Sequence, residues 1–303
     1  MQSPPMNDES TIKHSLTEAA KNGDAETLAH LLSRSGSTAV VNDLNRSLLS
    51  IAAEQGHEEC VKILLDYRTE VDFYDIECDT PLSLAAAGGH TSCVAMLIAA
   101  GADINNHSPN GTPLIQAALH ADVDTVRMLL EAGANPNASC SYGATALGHA
   151  MERGNADCAR LLLASGATLN GADEFGYDET MLAVRGGNEE CIQLILAAGG
   201  NPYYVGKARE LALLEAVHDD DVETVQHLLE QGADVNIRNA HGRTPLFLAL
   251  QYATPNDCLP LLLNSGVDES IRDIYGETAW EYAATEGCLS RTKLTPDELK
   301  KQL

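Results

Sequence analysis

Apolar positions along this chain come in short bursts at helical spacing, two bursts per period, divided by polar stretches that carry glycine. The stretch 78–105, CDTPLSLAAAGGHTSCVAMLIAAGADIN, is the cleanest copy. Thr80-Pro81, Thr112-Pro113 and Thr244-Pro245 each place an N-cap hydroxyl before a proline that is pre-shaped for the first helical turn. Gly56, Gly89, Gly154 and Gly187 break the chain, and a second helix with a stripe such as Val61, Leu64 and Leu65 follows. His57, His90, Asp122, Asn155, Asn188 and Asp221 open that helix, where they are expected to cap its amides. Gly101, Gly133, Gly166, Gly232 and Gly266 then end it in a left-handed turn. The polar remainder of each period predicts a hairpin-like finger.

The bursts repeat. Anchor positions fall at His14, Ser47, Thr80, Thr112, Thr145, Asp178, Leu211, Thr244 and Thr278, at spacings of 32 to 34 residues. Five residues after each anchor stands an alanine: Ala19, Ala52, Ala85, Ala117, Ala150, Ala183, Ala216, Ala249 and Ala283. A methyl group there lets the first helices of neighbouring repeats approach closely. Repetition at this period predicts a stack of small units, each burying its apolar face on the next.

T-P-L, A-A, G-H, L-L and G-A-D-x-N recur from about Ile12 to Cys288, and in this the chain resembles the ankyrin repeat family. The resemblance implies an all-α solenoid of about nine helix-turn-helix units with projecting β-hairpin-like fingers. It also implies protein binding through finger tips and the exposed side of the first helices. On this reading 1–11 is disordered, 12–288 is the repeat domain with its first and last units as caps, and 289–303 is a C-terminal capping helix opened by a capping box at Thr295 to Glu298. The family further implies that Asn105 and Asn236, which end the best G-A-D-x-N turns, are open to hydroxylation.

Composition sharpens the picture. A net charge of −25 repels phosphate backbones and anionic bilayers, so nucleic acid and membrane are not expected partners, and basic proteins or peptides are favoured. The opening MQSPPMNDES has no secretory h-region, and no apolar run nears the roughly 18 residues of a membrane span. A cytoplasmic protein is expected, with a nuclear location also compatible, and monomeric on its own. Five of the eight cysteines, Cys60, Cys93, Cys158, Cys191 and Cys258, share one column of the repeat. Helices pack roughly 8–10 Å apart and a disulfide needs Cα atoms within about 7 Å, so this column should stay reduced.

The columns that face a partner in this family change character along the chain. Early repeats show Asp43, Arg46, Glu54, Gln55, Glu77 and Asp79. Later repeats show Tyr142, Arg153, Phe175, Tyr177, Arg185, His218, His241, Arg243, Tyr252 and Tyr275, and the irregular finger 201–207 adds Tyr203 and Tyr204. Aromatic and arginine side chains anchor interfaces, which places the expected partner across the fifth to eighth repeats. The alternative is that the tyrosines pack finger against finger.

Catalytic signals are thin. There is no H-E-x-x-H, no phosphate-binding glycine loop and no nucleophile elbow. Asp219-Asp220-Asp221 reads as helix capping rather than a cation site. Trp280 falls in a column of leucines (Leu49, Leu82, Leu246) and is expected in the core. The expectation is a non-catalytic recognition module, an adaptor, inhibitor or substrate receptor, with no cofactor and no metal. The other classes are an enzyme with a lyase or hydrolase site improvised on the stack, and a self-associating scaffold.

Overall fold

The computed structural model describes residues 8–120, 122–169, 172–251, 257–292 and 295–302. It is built of helix pairs: α1 (Asp8–Asn22) with α2 (Ala25–Ser35), α3 (Leu48–Glu54) with α4 (Glu58–Asp66), α5 (Pro81–Ala87) with α6 (Thr91–Ala99), α7 (Pro113–Leu119) with α8 (Val123–Glu131), and α9 (Ala146–Glu152) with α10 (Ala156–Ala164). The series continues with α11 (Glu179–Gly186) and α12 (Glu189–Ala197), α13 (Ala208–His218) and α14 (Val222–Glu230), α15 (Pro245–Ala249) and α16 (Leu259–Asn264), and α17 (Ala279–Thr285) and α18 (Cys288–Thr292), followed by α19 (Pro296–Gln302). Among the described residues there is no strand, and isolated antiparallel bridges such as Val41 with Ser47 and Arg272 with Thr278 close the fingers. The chain divides into two compact units, Met1–Thr168 and Leu169–Leu303.

Within each unit the first helices stack on one another, and the alanine column makes that possible. All nine alanines are buried, none exposed beyond 5%. Ser47, Thr80, Thr112, Thr145, Asp178 and Thr278 each accept a backbone N–H at the start of the first helix. The cysteine column is fully buried and reduced, and burial pushes the Cys93 and Cys158 thiols up to about 11, which keeps them protonated and inert. Trp280 is buried and donates its indole N–H to Glu269 at 2.6 Å.

Three expectations are corrected. The segment 1–11 is helical from Asp8 onward, because no proline or glycine follows Pro5 to stop the helix running upstream of Ile12. The tail 289–303 holds two short helices, α18 and α19, the second opened by the Thr295–Glu298 capping box. His57 and His90 do not cap their own helices. Their Nε2 atoms reach back to the backbone oxygens of Lys21 at 2.9 Å and Glu54 at 3.0 Å, each at the end of the preceding repeat's first helix. An imidazole is too long to fold onto the amides beside it, whereas Asp24, Asp122, Asn155, Asn188 and Asp221 in the same column do cap locally. The remodelled turn expected at 252–256 lies outside the described residues.

Candidate functional site

Five of the described fingers are turns each held by one side chain. Asp75 accepts the N–H groups of Glu77 and Asp79, both at 2.9 Å. Asp173 does the same for Phe175 and Tyr177 at 3.0 and 2.8 Å, and Asp273 for Tyr275 and Glu277 at 2.9 and 3.1 Å. Asn42 holds Leu44 and Arg46, both at 3.0 Å, and Asn239 holds Arg243 at 2.9 Å. A short carboxylate or amide is suited to this because it mimics a backbone turn. Sequence reasoning passed over these residues, although the signal was there: an Asp or Asn recurs five positions ahead of Ser47, Thr80, Asp178, Thr244 and Thr278.

A second line of bonds joins repeats at the far end of the finger loop. Asn105 accepts the N–H of Asn135 at 2.8 Å and donates to Gly133 O at 3.3 Å, and Asn137 repeats this with Thr168 and Gly166. Asn236 does so with Asp268 and Gly266. The carboxamides of Asn105 and Asn236 are thus engaged at both ends. Tyr203 stands in the same column and has no carboxamide to offer.

The residues expected to face a partner divide between the units. Tyr142, on a finger tip, and Arg153, at the end of α9, are exposed in Met1–Thr168. In Leu169–Leu303 the structure joins the expected residues to one another. The Arg185 guanidinium lies 5.1 Å from the Tyr177 ring centre and 3.4 Å from Glu215. Phe175 meets His218 edge-on at 4.9 Å. Arg243 lies over Tyr282 at 4.3 Å and bonds Asp273 at 3.3 Å. His241 is half-buried, and burial, then the Arg243 charge, hold its pKa below the ordinary value against the opposing pull of Asp273. Lys207 lies over the exposed Tyr203 ring at 4.6 Å, and Tyr275 is exposed. Tyr252 lies outside the described residues.

Tyr177 and Tyr204 do not serve as exposed anchors: they are 6% and 4% exposed. Burial pushes the Tyr204 phenol up to about 12 and raises Tyr177 as well, and the Tyr177 hydroxyl has no hydrogen-bond partner among the described residues. The reason lies in the finger 201–207, which collapses into a single 3-10 turn, Pro202–Tyr204, capped by Asn201. No projecting turn separates its neighbours. The finger 173–178 therefore bonds directly to the finger 239–244, two repeats on, through Ala240 N to Gly176 O at 2.9 Å and Asn239 Nδ2 to Phe175 O at 3.0 Å. Elsewhere such bonds link adjacent fingers, as in Ile76 N to Leu44 O at 3.2 Å and Ile274 N to His241 O at 3.0 Å. Gly176 has a φ of 82°, and a Cβ there would strike the Asn239 amide, so glycine is needed at this junction.

The family model described as ankyrin repeats (3 copies) matches residues 16–108, 101–174, 180–273 and 213–294. The chain belongs to the ankyrin repeat family. Ankyrin repeats generally mediate protein–protein interaction. Over 83 residues the chain is 40% identical to the E3 ubiquitin-protein ligase KEG of Arabidopsis thaliana, covering 27% of this chain and 5% of that protein. Over 76 residues it is 42% identical to the 2-5A-dependent ribonuclease of Homo sapiens, covering 25% of this chain and 10% of that protein. The shared stretch is thus a small part of either relative.

Several bulky apolar side chains on this ankyrin chain's finger tips are open to solvent. Ile76 is 62% and Tyr275 71% exposed, and Ile274, Tyr142 and Leu44 are exposed beside them or in equivalent turns. A hollow of about 420 Å³ between α1 and 35–40 is lined by Ile12, Lys13, Leu16, Ser35, Ser37, Ala39 and Val40, with one amine as its chemistry. Among the described residues no cluster of three or more His, Cys, Asp or Glu is placed to hold a metal, and no helix is long and apolar enough to cross a membrane.

Proposed function

We propose that this ankyrin chain is a non-catalytic recognition module that holds a protein or peptide segment against its finger tips and acts as an adaptor, inhibitor or substrate receptor. One observation carries the reading: the bulky apolar side chains of Ile76, Ile274 and Tyr275 stand in water on turns whose backbones are fixed by the buried Asp75 and Asp273 side chains. Apolar groups held outward on rigid supports lose little entropy when a partner covers them, which is the condition for an interface anchor. The tips that remain are Leu44, Ile76 and Tyr142 in one unit, and Ile274 and Tyr275 in the other. Phe175, Tyr177, Arg185, His218 and Arg243 support the scaffold beneath them. The ligase and ribonuclease carry activities of their own, and this chain shares with each only a repeat-bearing stretch.

Photo-crosslinking tests the proposal. A benzophenone amino acid replaces Ile76, Tyr142 or Tyr275 in turn, and Lys62 or Arg160 on the second helices as controls. Discrete protein adducts from the tip positions are expected. Adducts from Lys62 and Arg160 with none from the tips would sink the reading, as would turnover of a small metabolite by the purified chain.

A further inference from the structure

The first two complete fingers, 41–47 and 74–80, carry an exposed apolar ridge made of Val41, Leu44, Tyr74 and Ile76. Val41 and Tyr74 hold one position of the finger, just ahead of the stapling residues Asn42 and Asp75. Leu44 and Ile76 hold the tips. Ile76 N bonds Leu44 O at 3.2 Å, and Asn45 Nδ2 bonds Tyr74 O at 3.0 Å. The Tyr74 hydroxyl accepts from Asn106 at 3.1 Å in the next loop. Four exposed apolar side chains thus stand on two turns bonded to each other.

The charges around this ridge share one sign. Asp43 and Glu77 are exposed on the tips, Glu54 is half-buried, and Asp75 and Asp79 lie beneath. The cation within these two fingers, Arg46, is taken up by two of those carboxylates: Nη1 is 2.7 Å from Glu54 and Nε is 2.9 Å from Asp75. The ridge keeps a negative excess. An apolar strip framed by carboxylates attracts a ligand that brings both apolar side chains and cations, and repels phosphate-rich surfaces.

We propose that Val41, Leu44, Tyr74 and Ile76 form a docking surface for a protein segment in which apolar side chains alternate with lysine or arginine. The proposal rests on the recognition reading above and adds to it a place and a partner chemistry. Acidic residues speed approach and set the salt dependence, and the apolar ridge holds the segment once it arrives.

The test uses the full chain and a labelled peptide of alternating leucine and lysine, read by fluorescence anisotropy. Leu44→Ser with Ile76→Ser should weaken binding about tenfold, or about 1.4 kcal/mol. Tyr67→Ser with Val205→Ser, two exposed apolar residues outside the finger tips, should leave it unchanged. Raising salt to about 0.2 M should weaken binding to the parent chain. All four changed side chains are exposed, so far-UV circular dichroism should stay at the parent signal. Equal binding of a leucine–glutamate peptide would overturn the proposal. So would equal binding of a lysine–serine peptide, or equal loss in both double variants. If the tips still crosslink protein while the leucine–lysine peptide does not bind, the partner chemistry falls and recognition stands. If the tips yield no adducts, recognition itself falls.

Discussion

In the N-terminal unit Arg46 crosses from one finger to Asp75 in the next at 2.9 Å, and in the C-terminal unit Arg243 crosses to Asp273 at 3.3 Å. Both carboxylates are buried, and both staple the turn they belong to. The two finger pairs share this plan and differ in dress. Arg46 has a second carboxylate, Glu54, where Arg243 has the Tyr282 ring. Val41 and Tyr74 lead the first pair, and Arg238 and Arg272 lead the second. Arg238 donates to Gly242 O and Arg272 O, while Arg272 pairs with Glu281 at 2.7 Å. One buried ion pair thus fixes finger spacing in both units, and the surrounding positions are left to set the surface, acidic and apolar in one pair and arginine-rich in the other.

The largest expected effect breaks the shared plan. Arg46→Met or Arg243→Met leaves a buried aspartate without its cation. Loss of one partner of a buried pair costs about 3–5 kcal/mol, and the two backbone donors that remain on each aspartate should bring this to about 2–3 kcal/mol. Arg46→Met should cost more, because Glu54 and Asp75 then face each other unscreened. Urea unfolding followed by circular dichroism checks both, and an equal or reversed order would show that the Tyr282 ring outweighs the second carboxylate.

Backbone shape at the finger corner separates the pairs next. Gly242 has a φ of 75°, and a Cβ there would come within 3.2 Å of the Asp273 backbone, whereas a Cβ on Gly276 would meet open space. Gly242→Ala should cost about 2 kcal/mol and Gly276→Ala about 1 kcal/mol, the latter from left-handed strain alone. In the N-terminal pair the corner residues are Asn45 and Cys78, at φ of 57° and 64°. Cys78→Gly should therefore stabilise by up to about 1 kcal/mol, since relief of strain outweighs the added chain entropy of glycine. A fall in the thermal midpoint of Cys78→Gly would contradict this.

Tyr177 occupies the finger position that Arg46 and Arg243 hold in their own fingers, but the collapsed finger 201–207 gives it no carboxylate to reach. Its hydroxyl is buried and unpaired among the described residues, so Tyr177→Phe should be neutral or stabilise by about 1 kcal/mol. A clear destabilisation would show that the hydroxyl has a partner.

The smallest effect is a pH dependence confined to the second pair. His241 resists protonation in the folded chain, so below the ordinary imidazole pKa of about 6.5 the unfolded chain binds the proton first. Folding stability should decline as pH falls through that value, and level off below the lowered folded value. His241→Gln should flatten this slope between about pH 7 and 5 in urea titrations. An unchanged slope would assign the dependence to another group.

The sequence by itself determined the helix pairs, their caps and the columns that pack between repeats. Each is a local feature, written within one period or between a period and its neighbour, and repetition averages away the noise of single positions. That is why the alanine and cysteine columns and Trp280 were legible as core. Tertiary structure alone decided the fate of the aromatic residues. Tyr177 and Tyr204 fall in finger segments, where exposure is expected, and they are buried because the finger 201–207 does not project, so turns two repeats apart bond to each other. The reach of His57 and His90 into the preceding repeat is hidden for the same reason: which backbone oxygen lies within 3.0 Å of a ring nitrogen depends on how repeats stack, not on the residues beside it. Periodicity encodes which neighbours meet. The distance at which they meet, and therefore which side chains are left in water, is set only when the turns between them are folded.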